Sequence, residues 1–174
     1  MRVFVALVPP PALSAALGAL AREVARRAHG RPVPADNLHL TLAFIGAWPA
    51  AQLASLLAAG AAVDSEAMRI TLDTQGGFRR AGIAWIGASS PLPSLDALAK
   101  SFAPLLIANG VAHDEPRFHP HVTLARRCRG PYLHEAAGPY VWDVDSFALM
   151  RSETGTEGAR YTRLASWPLR RATA

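Results

Sequence analysis

The sequence predicts an α+β protein, because short β-rich segments alternate with amphipathic segments and because one strand motif occurs twice. The chain has 174 residues, 51% of them hydrophobic, which suffices to bury a substantial core. We therefore expect one domain over residues 1–174, with about seven strands and three helices.

The first part of the chain alternates strand and helix. Residues 3–8 are β-rich and stop at three consecutive prolines, after which residues 12–28 have amphipathic helical spacing. Residues 38–45 have β propensity between turn residues, as expected of a second strand. Residues 49–63 begin with proline and are rich in alanine and leucine, which indicates a second helix.

The middle of the chain is predicted to form two more strands and the third helix. Residues 68–73 alternate in polarity, Gly76 and Gly77 should end that strand, and residues 82–86 form the next one. Residues 94–108 have helical character, with Ser94 as the predicted N-cap and the pair at 109–110 as the stop.

Three strands are predicted in the last part of the chain. Residues 118–125 form the first, and a stretch rich in glycine and proline follows it as a loop. Residues 144–151 and 159–166 form the other two, joined by a turn at 154–158.

One motif occurs in both halves of the chain. The segment His39-Leu40-Thr41-Leu42 is matched by His121-Val122-Thr123-Leu124, and each copy follows a predicted helix and a proline-containing approach. Two copies are too few for a solenoid, so we expect a pseudo-symmetric pair of lobes that face each other.

The spacing within each motif places its polar groups together. Side chains alternate between the faces of a strand, so His39 and Thr41 share one face, as do His121 and Thr123. Two such strands side by side present two imidazoles and two hydroxyls to one cleft. Because the histidine pKa lies near neutrality, one ring can act as a base while the other acts as an acid. This combination suits phosphodiester cleavage without a metal.

The sequence resembles the 2H phosphoesterases, and within them the bacterial RNA 2',3'-cyclic phosphodiesterases that are also described as 2'-5' RNA ligases. The resemblance covers nearly the whole chain. Besides the two motifs, the matching segments are residues 2–7, 77–78, 83–87, 118–120, 126, 151–153 and 158–161.

The resemblance implies two pseudo-symmetric lobes of antiparallel sheet with flanking helices around a central cleft. It implies hydrolysis of RNA 2',3'-cyclic phosphates to 2'-phosphomonoesters, with some 2'-5' ligation in reverse. Because the two histidines can supply both acid and base, we expect no metal or other cofactor. By the same resemblance, His39 is the proton donor and His121 the proton acceptor, while Thr41, Thr123 and Arg126 bind the phosphate.

Arg126 does not fit a regular strand. Alternation from His121 puts Arg126 on the opposite face, so the strand must end or bulge if Arg126 is to reach the phosphate. The segment 154–157 also differs from the leucine-threonine-proline-glutamate sequence associated with the family.

Two alternative functions remain open on the residues alone. A metal-dependent phosphoesterase could use His119 and His121, which share a strand face, together with His113 and Asp114. This alternative gives no role to His39 or to either threonine, and activity in a chelator distinguishes it.

The second alternative is a non-catalytic module that binds RNA ends. Phe78, Trp85 and Tyr161 could stack on bases while basic side chains hold the strand. The net charge of +5 is compatible with RNA or a small cyclic nucleotide as ligand, but charge of this size also aids solubility.

The cellular context follows from cysteine content and hydropathy. Cys128 is the single cysteine, which fits a reducing compartment. The N-terminal apolar run meets proline too early for a signal peptide, and no segment reaches the length of a membrane span. We expect a cytoplasmic monomer that does not associate with membranes.

Overall fold

The computed structural model describes residues 1–108, 118–132, 134–155 and 158–171. Over these residues the chain forms nine strands and four α-helices, which confirms the α+β class. The strands are β1 Arg2–Leu7, β2 Arg31–Pro32, β3 Leu40–Ala47, β4 Met68–Phe78, β5 Ile83–Gly87, β6 His121–Arg126, β7 Glu135–Val144, β8 Ser146–Gly155 and β9 Gly158–Pro168. The helices are α1 Pro11–Arg27, α2 Leu53–Ala61, α3 Pro93–Lys100 and α4 Ala103–Ala108.

The strands form a single sheet in the order β7-β4-β5-β6-β3-β1-β8-β9, with β2 paired to β6. Every ladder between these strands is antiparallel. The first lobe consists of β3, β1, β8 and β9, and the second lobe consists of β6, β5, β4 and β7. They meet where Leu40 of β3 pairs with Val122 of β6, so the two predicted motifs lie at the junction of the two predicted lobes.

Three of the four described helices connect the two lobes. Helix α1 follows β1 of the first lobe but packs on β6 of the second, whereas α3 and α4 follow β5 and pack on β3 of the first lobe. The resulting core is continuous, because it includes Val5 and Leu40 of the first lobe as well as Ile86 and Val122 of the second. This shared core fixes the two motif strands relative to each other.

The two faces of β1 bury two separate sets of side chains. Val3, Val5 and Leu7 enter the main core, while Phe4 and Ala6 point to the opposite face. There Phe4 and Ala6 form a small buried cluster with two residues of β8, against which the Tyr161 side chain packs.

The predicted break at Gly76 and Gly77 is wrong, since β4 continues through both residues to Phe78. A Cβ at Gly76 would overlap the Trp85 ring, and one at Gly77 would overlap the Tyr132 ring. These glycines therefore allow aromatic rings to lie directly on the strand, and they do not form a turn.

The predicted loop after residue 125 is also partly wrong, because it contains β7. This strand pairs with β4 along most of its length. It contains Gly138 and Pro139, which are typical of loops, so its sequence does not predict a strand. Strand β7 is an edge strand of the sheet, and edge strands accommodate proline and glycine.

The helix predicted at 94–108 is divided into α3 and α4. Pro104 has no backbone N–H and cannot continue the helix that precedes it. The predicted cap is wrong as well, because α3 begins at Pro93 with Leu92 as its N-cap and without a side-chain cap bond. The predicted stop at 109–110 lies outside the described residues.

Several smaller boundaries differ from the prediction. The helix predicted at 49–63 begins with a 3-10 turn at Ala50–Gln52 before α2. The motif strands begin at Leu40 and at His121, so His39 directly precedes β3. Within the predicted turn at 154–158, residues 156 and 157 lie outside the described part of the chain. No helix among the described residues is long and apolar enough to span a membrane.

The contact between Gly76 and Trp85 can be tested by the Gly76→Ala substitution. The added methyl group must displace the Trp85 ring, so we expect the free energy of unfolding to fall by about 1–3 kcal/mol. Urea unfolding measures this. The matched control is Gly155→Ala, where the nearest atom to a new Cβ is the Gly158 carbonyl oxygen at 3.8 Å. Equal stability losses in the two variants would contradict the packing described for Gly76.

Candidate active site

Both motif histidines are oriented by the same backbone contact. The Nδ1 atom of His39 donates to the carbonyl oxygen of Asn37 at 2.8 Å, and Nδ1 of His121 donates to that of His119 at 2.6 Å. A carbonyl oxygen can only accept, so Nδ1 carries the proton in each ring. Each ring is therefore left with Nε2 for chemistry.

Aromatic side chains hold the two rings in place. His39 lies against Phe4 and the edge of Tyr161, with ring centroids 4.8 and 5.0 Å away. His121 meets Phe78 edge to face at 5.1 Å. The Asn37 side chain also donates to the carbonyl oxygen of Ala159 at 2.8 Å, which ties the residues before His39 to β9.

Burial lowers the pKa of both histidines, because it disfavours the charged imidazolium. The hydrogen bonds to backbone carbonyls act in the opposite direction and raise each pKa. The positive charge of Arg126 lowers the pKa of both rings, and that of His121 lowers the pKa of His39. The two histidines and Arg126 are thus close enough to interact electrostatically.

A β-bulge places Arg126 on the histidine face. Strand β5 pairs with Thr123 and next with Ala125, so Leu124 is an extra residue in β6. Leu124 and Ala125 are both buried, and the alternation resumes with Arg126 exposed. This is the irregularity that the sequence required for Arg126 to share a face with His121.

Strand β3 has a matching bulge that places an aromatic residue where Arg126 stands in the other motif. Strand β1 pairs with Thr41 and next with Ala43, so Leu42 is the extra residue. The side chain that follows is Phe44, which is 51% exposed and has the Arg2 guanidinium 5.5 Å from its ring centroid. Sequence reasoning missed Phe44, although its position five residues after a motif histidine could have identified it.

Thr41 and Thr123 are half-buried and lie on the same strand faces as the histidines. Neither hydroxyl bonds to another described residue, so both remain able to donate to a ligand. The structure thus brings the five predicted residues to the junction of the lobes: His39, Thr41, His121, Thr123 and Arg126.

The residues named for the metal-dependent alternative are only partly described. The ring centroids of His119 and His121 lie 5.9 Å apart, while His113 and Asp114 fall outside the described residues. Among the described side chains, no group of three or more histidine, cysteine, aspartate or glutamate residues is placed to hold a metal. His119 packs edge-on against Trp85, with ring centroids 4.6 Å apart.

The aromatic residues named for base stacking mainly support the histidines. Trp85 is 5% exposed and lies over Gly76, and its Nε1 has no partner among the described residues. The Phe78 ring contacts His121, and the Tyr161 ring contacts His39. Phe44 is more exposed than any of the three, since Trp85 is buried and Phe78 and Tyr161 are only partly exposed.

The fold and the paired motifs are those of a known superfamily. A sequence profile of the 2'-5' RNA ligase superfamily matches residues 9–156, and the chain belongs to this superfamily.

Curated relatives specify the resemblance further. The chain is 34% identical over 142 residues to the RNA 2',3'-cyclic phosphodiesterase of Escherichia coli K12, and the alignment covers 80% of each protein. It is 34% identical over 182 residues to the protein of the same name from Thermus thermophilus, and the alignment covers 98% of this chain and 91% of the relative.

Solved structures agree with these relationships. Escherichia coli LigT complexed with 3'-AMP superposes with a TM-score of 0.87 at 30% identity and covers 97% of both chains. TT0787 of Thermus thermophilus superposes with a TM-score of 0.83 at 30% identity and covers 99% of this chain and 100% of its own. The two-lobed 2H phosphoesterase fold is therefore confirmed.

The lowered histidine pKa values predict a specific dependence of stability on pH. As pH falls through about 6.5, the ordinary histidine pKa, the unfolded chain binds protons at His39 and His121 before the folded chain does. Stability is therefore lost as pH falls, until the folded-state pKa values are reached.

Thermal unfolding at pH 7.5 and pH 5.5 measures this loss. The double variant His39→Gln/His121→Gln lacks both titrating rings, so its Tm should fall less than that of the unmodified protein. An equal fall in both proteins would contradict the lowered pKa values.

Proposed function

We propose that this protein hydrolyses RNA 2',3'-cyclic phosphodiester ends to 2'-phosphomonoesters by acid/base catalysis, with His39 as proton donor and His121 as proton acceptor. The observation that carries the proposal is the matched pair of Nδ1 bonds to backbone carbonyls, which leaves an Nε2 atom on each side of the lobe junction. Membership of the superfamily and the names of the relatives support the same reaction.

The reaction needs one proton acceptor and one proton donor. His121 Nε2 removes a proton from a water molecule, whose oxygen attacks phosphorus. The bond from phosphorus to the 3' oxygen breaks, and His39 Nε2 gives its proton to that oxygen. The phosphate remains on the 2' oxygen. The donor and acceptor assignment follows the resemblance to the family, because the geometry around the two rings is nearly symmetric.

Negative charge gathers on the non-bridging oxygens of phosphorus during the attack. Thr41 and Thr123 can donate their hydroxyl protons to these oxygens, and Arg126 can contribute its charge. The lowering of both histidine pKa values by Arg126 supports its placement near the phosphate. If an RNA 5' hydroxyl replaces water as the nucleophile, the same steps form a 2'-5' linkage.

The nucleotide that carries the cyclic phosphate has a candidate support for its base. Phe44 is 51% exposed, and Arg2 lies over one side of its ring. It pairs directly opposite Phe4, whose ring contacts His39, so it shares the His39 face of the sheet. An exposed aromatic face can stack on any base, which favours a nucleotide substrate without strong sequence preference.

Alanine substitutions of the histidines test the mechanism. We expect His39→Ala and His121→Ala each to reduce kcat by about 10²–10⁴, because each removes one proton transfer. Turnover of an RNA oligomer with a 2',3'-cyclic phosphate end, measured in EDTA, provides the rates. Circular dichroism verifies that each variant is folded.

His119→Ala is the matched control, since His119 lies on the same approach to the second motif but donates no proton in this scheme. Two-histidine catalysis predicts that His119→Ala is the least impaired of the three variants. A metal-dependent mechanism predicts the reverse order and activity that follows metal content. Loss of all activity in EDTA, or a 3'-phosphate product, would therefore contradict the proposed function.

A further inference from the structure

Five exposed arginines lie on three neighbouring segments around the end of β6, and we call them the arginine rim: Arg31, Arg79, Arg80, Arg126 and Arg127. Arg31 of β2 pairs directly with Arg126 of β6. Arg79 and Arg80 form the turn that links β4 to β5.

The turn between β4 and β5 contacts the segment after β6. The Gly82 carbonyl oxygen accepts a hydrogen bond from the Cys128 backbone N–H at 2.9 Å. A Cβ at Gly82 would lie 3.6 Å from the Cα of Arg127. The backbone segments that carry these arginines are therefore neighbours, and all the arginines on them are exposed.

The arginine rim has no carboxylate partners in the described part of the chain. The ion pairs there involve Arg27, Arg69, Arg151 and Arg170, and none includes a rim residue. Glu135 is already bound to Arg27 at 2.7 Å.

The pairing of Arg31 with Arg126 also places like charges directly opposite each other, which disfavours the folded state. An anion bound between the two guanidinium groups would relieve this repulsion.

The arginine rim is continuous with the candidate active site. Phe78, whose ring centroid lies 5.1 Å from that of His121, directly precedes Arg79. Arg126 belongs to both the rim and the site, because its charge lowers the pKa of both motif histidines. A strand whose end reacts at the histidines can therefore run directly onto the rim.

We propose that the arginine rim binds backbone phosphates of the RNA strand upstream of the reacting end, so that the protein prefers RNA ends to cyclic mononucleotides. This inference rests on the proposed function. Guanidinium groups bind phosphates through paired hydrogen bonds, and a mononucleotide has no upstream phosphate to offer. Each contact to single-stranded RNA makes the slope of log affinity against log salt more negative by about 0.7.

The double variant Arg79→Ala/Arg80→Ala tests the rim, because its side chains lie outside the proposed catalytic group. The matched control is Arg22→Ala/Arg26→Ala, which removes two exposed arginines from α1, the helix packed on the other face of β6. The substrates are 2',3'-cyclic AMP and a single-stranded ten-nucleotide RNA with a 2',3'-cyclic phosphate end. Values of kcat/KM are measured from 50 to 200 mM salt.

We expect the unmodified protein to favour the RNA and to lose that preference as salt rises. In Arg79→Ala/Arg80→Ala, kcat/KM for RNA should fall about tenfold at low salt, and the slope of log kcat/KM against log salt should become less negative by about 1.4. Its turnover of 2',3'-cyclic AMP and all values for the α1 control should be unchanged. Equal losses on both substrates, or an equal loss in the control, would overturn the proposal.

Failure of the proposed function can be recognised separately. If the unmodified protein turns over neither substrate, the proposed function is wrong, and fluorescence anisotropy with an RNA ending in a 2'-phosphate tests the rim directly. Weaker RNA binding in Arg79→Ala/Arg80→Ala than in the α1 control would support the rim as an RNA-binding surface. Equal binding in the two variants would overturn it.

Discussion

The pairing of Leu40 with Val122 is the contact on which the geometry of the site depends. These residues are fully buried, and each directly follows a motif histidine. Strands β3 and β6 are bridged there, so a shift of either strand would separate His39 from His121. The exchange of helices between the lobes supports the bridge, because α1 packs on one motif strand while α3 and α4 pack on the other.

Strands β3 and β6 have the same motif and the same bulge, but they differ in the residue that follows the bulge. Each motif strand bulges directly after its threonine, which returns the fifth residue after the histidine to the cleft face. That residue is Phe44 in one lobe and Arg126 in the other. A symmetric backbone thereby provides an aromatic side chain on one side and a positive charge on the other.

The sequence predicted the features that follow from local periodicity and repetition. The α+β class, the two lobes and the shared faces of His39 and Thr41 all follow from alternation within a strand and from the second copy of the motif. The bulge before Arg126 could be stated as a requirement but not located, because it depends on the register with β5. Gly76 was misread because its small size serves contact with Trp85, which is remote in sequence. The segment at 135–144 was missed because pairing with β4 outweighs its local glycine and proline content.

The interdependence of the two histidines is tested most directly by a double variant. The rates of His39→Ala, His121→Ala and His39→Ala/His121→Ala are measured on an RNA with a 2',3'-cyclic phosphate end in EDTA. Groups that act as one catalytic unit are strongly non-additive, so the double variant should be scarcely slower than the slower single variant. If the two losses instead multiplied, His39 and His121 would act independently, and paired acid/base catalysis at the lobe junction would be contradicted.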